Sequence, residues 1–153
     1  MNPDSSHLIL ALLTTPGCVV LLFGTLWFLG LQLTEKFVTR VTSATSISIN
    51  ILCTILLWRV LSSDSGVLTA QPGNWFSIGH YGFPLSFRID KLAMPLVMLT
   101  AMLSGTVGAF SARYLHRDPG FFRFFLLLHL FTFGSLLLFT ANSLDLLIAG
   151  WEI

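Results

Sequence analysis

Charge is what this sequence has least of. Only 10% of its 153 residues are Asp, Glu, Lys or Arg, against about 25% in an average soluble domain. The eight Lys and Arg are scattered and the formal net charge is +1, so no basic patch for a nucleic acid is present. Cysteine is scarce too. Cys18 and Cys53 each sit inside an apolar stretch without a partner at metal-ligand spacing, which excludes a zinc motif and leaves them as small lipid- or helix-facing residues. A Gly-rich phosphate loop, a serine-hydrolase elbow, an internal repeat and a low-complexity segment are all missing. What fills the space is apolar: 54% of residues are hydrophobic and the mean hydropathy is +0.82. Long runs of such residues without charge are the composition of an integral membrane protein.

Four spans and part of a fifth can be read along the chain. Residues 8–33 carry no charge. The stretch is too long for a signal-peptide core and follows no Lys or Arg, so it reads as a first membrane helix. Pro16-Gly17 loosens it, as a kink or near its start. A polar loop with Glu35, Lys36 and Arg40 precedes a second span over 41–61, whose first half, "VTSATSISIN", is rich in hydroxyls that bond their own helix or a neighbour. Arg59 near its far end reaches the headgroups. Residues 62–91 leave the helical pattern. "QPGNW" and "GHYGFP" are turn chemistry. In "PLSFRID", Leu85, Phe87 and Ile89 alternate with Ser86, Arg88 and Asp90, the two-residue period of a half-buried strand. With "NWFSIG" as its partner, a hairpin is expected over about 74–90.

A third span is expected over 92–112, where Ala101, Gly105 and Ala109 recur every four residues and form a narrow face suited to close helix approach. "RYLHRDPGFFR" is an interfacial turn broken at Asp118-Pro119-Gly120, and the fourth span follows over 124–141. The fifth begins at Leu144 and has about ten residues, roughly 15 Å of helix and half of a 30 Å hydrocarbon core. The expected class is therefore an all-α integral membrane domain, 1–153, with a hairpin between its second and third helices, and it reads as the N-terminal fragment of a longer subunit. Lys36, Arg40, Arg113, Arg117 and Arg123 lie on one side, and Arg59, Arg88 and Lys91 on the other. The positive-inside rule then puts the N-terminus and the hairpin outside.

Glu152 is the sharpest chemical feature. An ionisable group at membrane depth costs roughly 2.5–3.5 kcal/mol on insertion scales and normally faces a partner in a bundle interior. Desolvation favours the neutral form of a carboxylate and a nearby cation the charged form, so a carboxylate poised between them takes up and releases protons. The plainer reading is a short fifth helix whose Glu152 reaches an interface. His129, in "LLLHLFTFG", is either a proton relay through its two ring nitrogens or a structural histidine bonded to another helix. Asp90 caps the third helix beside a snorkelling Lys91. His116, Arg117 and Asp118 are loop and headgroup residues, and Trp75, Tyr114 and Trp151 suit interfaces or packing. Haem would need paired axial ligands, which His129 alone does not supply.

From Phe87 onward, "FRIDKLAMPLVML", "SARYLHRDPGFFRFF" and "LLLFTANSLDLLIAGWE" resemble the start of the large antiporter-like membrane subunit of respiratory complex I. That family has relatives in Mrp-type antiporters, membrane-bound hydrogenases and inorganic-carbon uptake systems. The resemblance rests on Asp90, Leu92, Ser111, Tyr114, Asp118, Arg123-Phe124-Phe125, Asn142 and Gly150-Trp151-Glu152. It covers about the second half of the chain; the first half agrees only in pattern. It implies that Glu152 is the protonatable carboxylate of a proton pathway, paired with a lysine on a later helix beside a broken helix. It also implies further helices of the same subunit and other membrane subunits as partners. No cofactor is expected in this chain; quinone, flavin and iron–sulfur centres would sit in partner subunits. Two other expectations stand beside this one. One is the membrane subunit of a two-component bicarbonate or CO2 uptake system, with zinc in a large soluble partner. The other is a four-span scaffold without transport, built on the Ala101, Gly105, Ala109 face. The expected location is a bacterial inner membrane.

Overall fold

A computed structural model describes residues 3–31, 33–79 and 81–153. Position 32, inside the first expected helix, and position 80, inside the expected hairpin, lie outside the described residues. The order is α1 (Pro3–Phe28), α2 (Glu35–Ser62), β1 (Val67–Ile78), β2 (Tyr81–Asp90), α3 (Ala93–Tyr114), α4 (Phe121–Thr140) and α5 (Leu144–Glu152). Helices α1 to α4 are each long and apolar enough to cross a membrane.

α1 stops five residues before the apolar run does. Leu31 N–H donates to the Leu26 carbonyl and Gly30 N–H to the Trp27 carbonyl, both at 3.0 Å, with Gly30 at φ +70°. This paired closure with glycine in the left-handed region ends a helix by its own hydrogen bonds, and hydropathy does not sense it. At the other end α1 starts at Pro3 rather than at residue 8. Pro16 lies inside it without a break. Nearby, the Thr15 hydroxyl donates to the Ala11 carbonyl at 2.6 Å, a local adjustment of the kind that keeps proline tolerable in membrane helices. α2 also starts early, at Glu35 rather than 41, because the Thr34 carbonyl accepts from Phe37 and Val38 N–H. Charged residues fit a solvated first turn, so the helix outruns its apolar part. α4 likewise begins at Phe121 rather than 124, and α3 and α5 lie within two residues of expectation.

The hairpin is antiparallel and longer than the expected 74–90. β1 pairs from Val67 opposite Asp90 to Ile78 opposite Tyr81, with irregularities between Ala70 and Gly73 and between Asn74 and Phe76. Gln71-Pro72-Gly73, which reads as a turn, is instead taken up at the first irregularity, with Gly73 at φ +135°. The hairpin base is buried through Leu68, Ala70, Phe87 and Ile89, while Trp75, Phe76 and Ile78 are exposed.

Apolar burial forms two clusters. The larger joins α1, α2, the hairpin base, α3, α4 and α5 through residues such as Leu12, Leu56, Ile89, Val97 and Leu136. The smaller joins Val19, Phe23, Val38, Phe121 and Phe125 at the opposite end of the bundle. The Ser6 hydroxyl donates to the Thr69 carbonyl at 3.4 Å, so the start of α1 lies beside the hairpin. At the other end, Glu35 accepts from Arg117 N–H at 2.8 Å and meets His116 Nδ1 at 2.6 Å. The first and third loops are therefore clasped together on the face away from the hairpin.

Candidate functional site

Glu152 sits in the last turn of α5. Ser143 starts that helix, its hydroxyl accepting from Leu146 N–H at 3.4 Å. The joint before it is tied to the hairpin: Asn142 N–H donates to the Ser86 carbonyl at 3.0 Å, and Asn142 Nδ2 to the Ser86 hydroxyl at 2.8 Å. α5 then runs against α4 at a glycine contact. A Cβ on Gly150 would lie 2.6 Å from the Leu138 nitrogen and 3.1 Å from the Gly134 carbonyl oxygen. Real Cβ atoms do not approach backbone so closely, so the approach requires glycine. Leu146 and Gly150 face inward, and Trp151 and Glu152 are exposed on the far side. No ion pair reaches Glu152 among the described residues.

His129 lies elsewhere and in opposite circumstances. It is 3% exposed. Its Nε2 shares a 3.1 Å hydrogen bond with the Thr42 hydroxyl on α2, and the Phe23 ring meets it edge-on at 5.8 Å. Beside it the Thr132 hydroxyl reaches both the Ser104 hydroxyl, at 2.8 Å, and the Leu128 carbonyl, at 2.7 Å. Asn50 Nδ2 donates to the Ser46 and Ala101 carbonyls at 2.9 and 3.3 Å. Together these groups form a polar layer joining α2, α3 and α4. Below Thr132, α4 buries Gly134, Leu136 and Leu137 before the next buried hydroxyl, Thr140, which donates to its own helix. The structure brings Thr42, Ser104, His129 and Thr132 together and does not bring Glu152 to them.

The remaining site residues serve packing and turns. Asp90 Oδ1 accepts from Leu92 and Ala93 N–H at 3.0 and 2.9 Å, and Asp90 pairs with Arg88 at 3.3 Å. The Ala93 N–H above all, with the Leu92 N–H and the Arg88 guanidinium, holds the Asp90 carboxyl below its usual value against the opposing effect of burial. Asp118 Oδ1 accepts from Gly120 N–H at 2.6 Å and shapes the turn into α4. Tyr114 is exposed and stacks on Phe110; Arg123 is exposed in the first turn of α4. Of the four-residue series, Ala101 is buried, Gly105 is partly covered by Asn50 and Ser46, and Ala109 is exposed. The buried stripe of α3 is instead Ala101, Ser104, Gly108 and Ser111. Sequence reasoning missed Thr42, Ser104 and Thr132. Their only signal was hydroxyls inside apolar spans, which does not name a partner.

The fold defines a membrane protein with four helices long and apolar enough to cross a bilayer and an exposed Glu152 in the last turn of its fifth helix. Residues 75–125 match the family model described as NADH-ubiquinone oxidoreductase (complex I), chain 5 N-terminus. NADH-ubiquinone oxidoreductase chain 5 of Yarrowia lipolytica is 32% identical over 125 residues, covering 82% of this chain and 19% of that protein. The chain 5 protein of Podospora anserina is 27% identical over 146 residues, covering 95% and 22%. NADH-quinone oxidoreductase subunit L of Neisseria meningitidis is 27% identical over 154 residues, covering 99% and 22%. The chain belongs to the antiporter-like subunit family of complex I. It spans about a fifth of the length of the curated relatives it matches.

Proposed function

We propose that this chain provides the N-terminal helices of a proton-translocating, antiporter-like subunit in an energy-converting complex of the complex I type, with Glu152 as the protonatable group. The observation that carries the reading is the placement of Glu152. α5 is locked to α4 at Gly150, and the carboxylate follows on a face left exposed among the described residues. A carboxylate at membrane depth calls for a partner, and we assign that partner to a cation on other helices of the subunit. A cation drawn close holds a carboxylate charged; its withdrawal lets a proton bind. Flavin, iron–sulfur and quinone chemistry belongs, on this reading, to other subunits.

The relatives named above are all NADH oxidoreductase subunits, which favours this reading over carbon uptake or a scaffold. The bacterial relative aligns over nearly the whole chain, and we read the membrane as a bacterial inner membrane. The Lys and Arg excess on the clasped loops supports reading those loops as cytoplasmic and the hairpin as outside. In the full-length protein within its complex, Glu152→Gln lowers proton movement coupled to the driving reaction by more than about tenfold, with assembly intact on native gels. Normal pumping by that variant would sink the assignment.

A further inference from the structure

The polar layer around His129 encloses a small cavity of about 10 Å³, lined by Thr42, Ser46, Ser104, His129 and Thr132 together with apolar side chains. One water needs about 10–15 Å³ and two to four polar partners. We propose that α2, α3 and α4 share a resident water molecule in this cavity, bridging the His129–Thr42 pair to the Ser104–Thr132 pair.

Proton counting supports the assignment. The Thr132 hydroxyl has one proton for two acceptors, the Leu128 carbonyl and the Ser104 oxygen. When Leu128 takes it, the Ser104 hydroxyl donates to Thr132 and keeps an acceptor site open. The Ser46 hydroxyl makes no hydrogen bond among the described residues, and neither does His129 Nδ1. These are the valences of a water that accepts from one hydroxyl and donates to another. At membrane depth no bulk solvent satisfies them, so an internal water has the most to contribute there. A route for it exists: Thr42 and Ser46 also line a wider open groove between α2 and α3, whose wall includes Asn50 and Gly105. The water ties three helices at one depth, and the next side chains that α4 buries below Thr132 are Leu136 and Leu137 rather than polar groups. The assignment is independent of any role for Glu152.

The test is a cryo-EM map of the full-length protein in lipid nanodiscs at a resolution that shows ordered waters. The expected result is a single isolated peak within hydrogen-bond distance of His129 or Thr42 on one side and of Ser104 or Thr132 on the other. A map that resolves those side chains and shows no peak overturns the proposal. A second map, of the Ser46→Ala, Ser104→Ala double variant, is expected to lose the peak while the His129–Thr42 bond stays. A peak that persists unshifted in the double variant overturns it too, since those hydroxyls would not be what holds the bound species.

Discussion

Two polar groups in this bundle are treated in opposite ways. His129 is surrounded by three helices of its own chain and bonded to one of them. Glu152 is carried to a bare surface by a helix whose inner face is fully engaged. A polar residue at membrane depth whose partners are all local contributes to holding the helices in register. On the proposed reading, one aimed away from a tightly held helix finds its partner on other helices. On that reading the difference separates structure from function where residue type alone does not, since both side chains are of ionisable type and both sit in apolar runs.

The largest effect that would break this comparison is at Glu152 itself, where the glutamine variant is expected to abolish coupled proton movement without harming assembly. Next is Gly150. Gly150→Ala places a Cβ against Leu138 and Gly134 backbone, so α5 must move off α4. We expect about 1–3 kcal/mol of destabilisation in thermal unfolding and a loss of transport nearly as deep as for Glu152→Gln. Retained transport would show that the depth of the carboxylate is not critical. His129→Leu should do the converse. It leaves the Thr42 hydroxyl without its partner and costs about 1–2 kcal/mol, while coupled transport in proteoliposomes stays within about twofold, well under 1 kcal/mol on the barrier. Complete loss of transport would make His129 a relay and erase the contrast.

Asp90 supplies the smallest and most local check. Its carboxylate caps α3, so Asp90→Ala should cost about 1 kcal/mol and leave transport unchanged. Because the folded protein holds Asp90 below its usual value, its contribution is present above the unfolded value, near pH 4, and is lost as pH falls through the lower folded value. Melting curves from pH 6 down to pH 3 should therefore converge for wild type and Asp90→Ala. Curves that stay parallel would remove the cap from the account.

Much of the frame was legible in sequence: four spans, a hairpin between the second and third, and a fifth helix starting at Leu144 that carries Glu152. These follow from hydropathy and two-residue alternation, which are local. What stayed hidden was non-local or conformational. The end of α1 depends on a glycine entering the left-handed region. β1 starts seven residues early because Pro72-Gly73 is absorbed at a strand irregularity rather than a turn. A strict four-residue spacing gains about 40° per step on a 3.6-residue helix, which rotates Ala109 out of the contact that Ala101 makes. The buried stripe alternates three and four instead. The hydroxyls of "VTSATSISIN" announced a polar helix but not that Thr42 would find a histidine 87 positions away.

The double bond between Asn142 and Ser86 carries a further consequence. It anchors the residues just before α5 to the part of β2 that packs into the main apolar cluster. From Leu144 to Glu152 the helix advances about 12 Å with no freedom to slide, because Gly150 is wedged against α4. On the proposed topology the hairpin would then act as a depth gauge, an element at the membrane surface setting how far below that surface the carboxylate hangs.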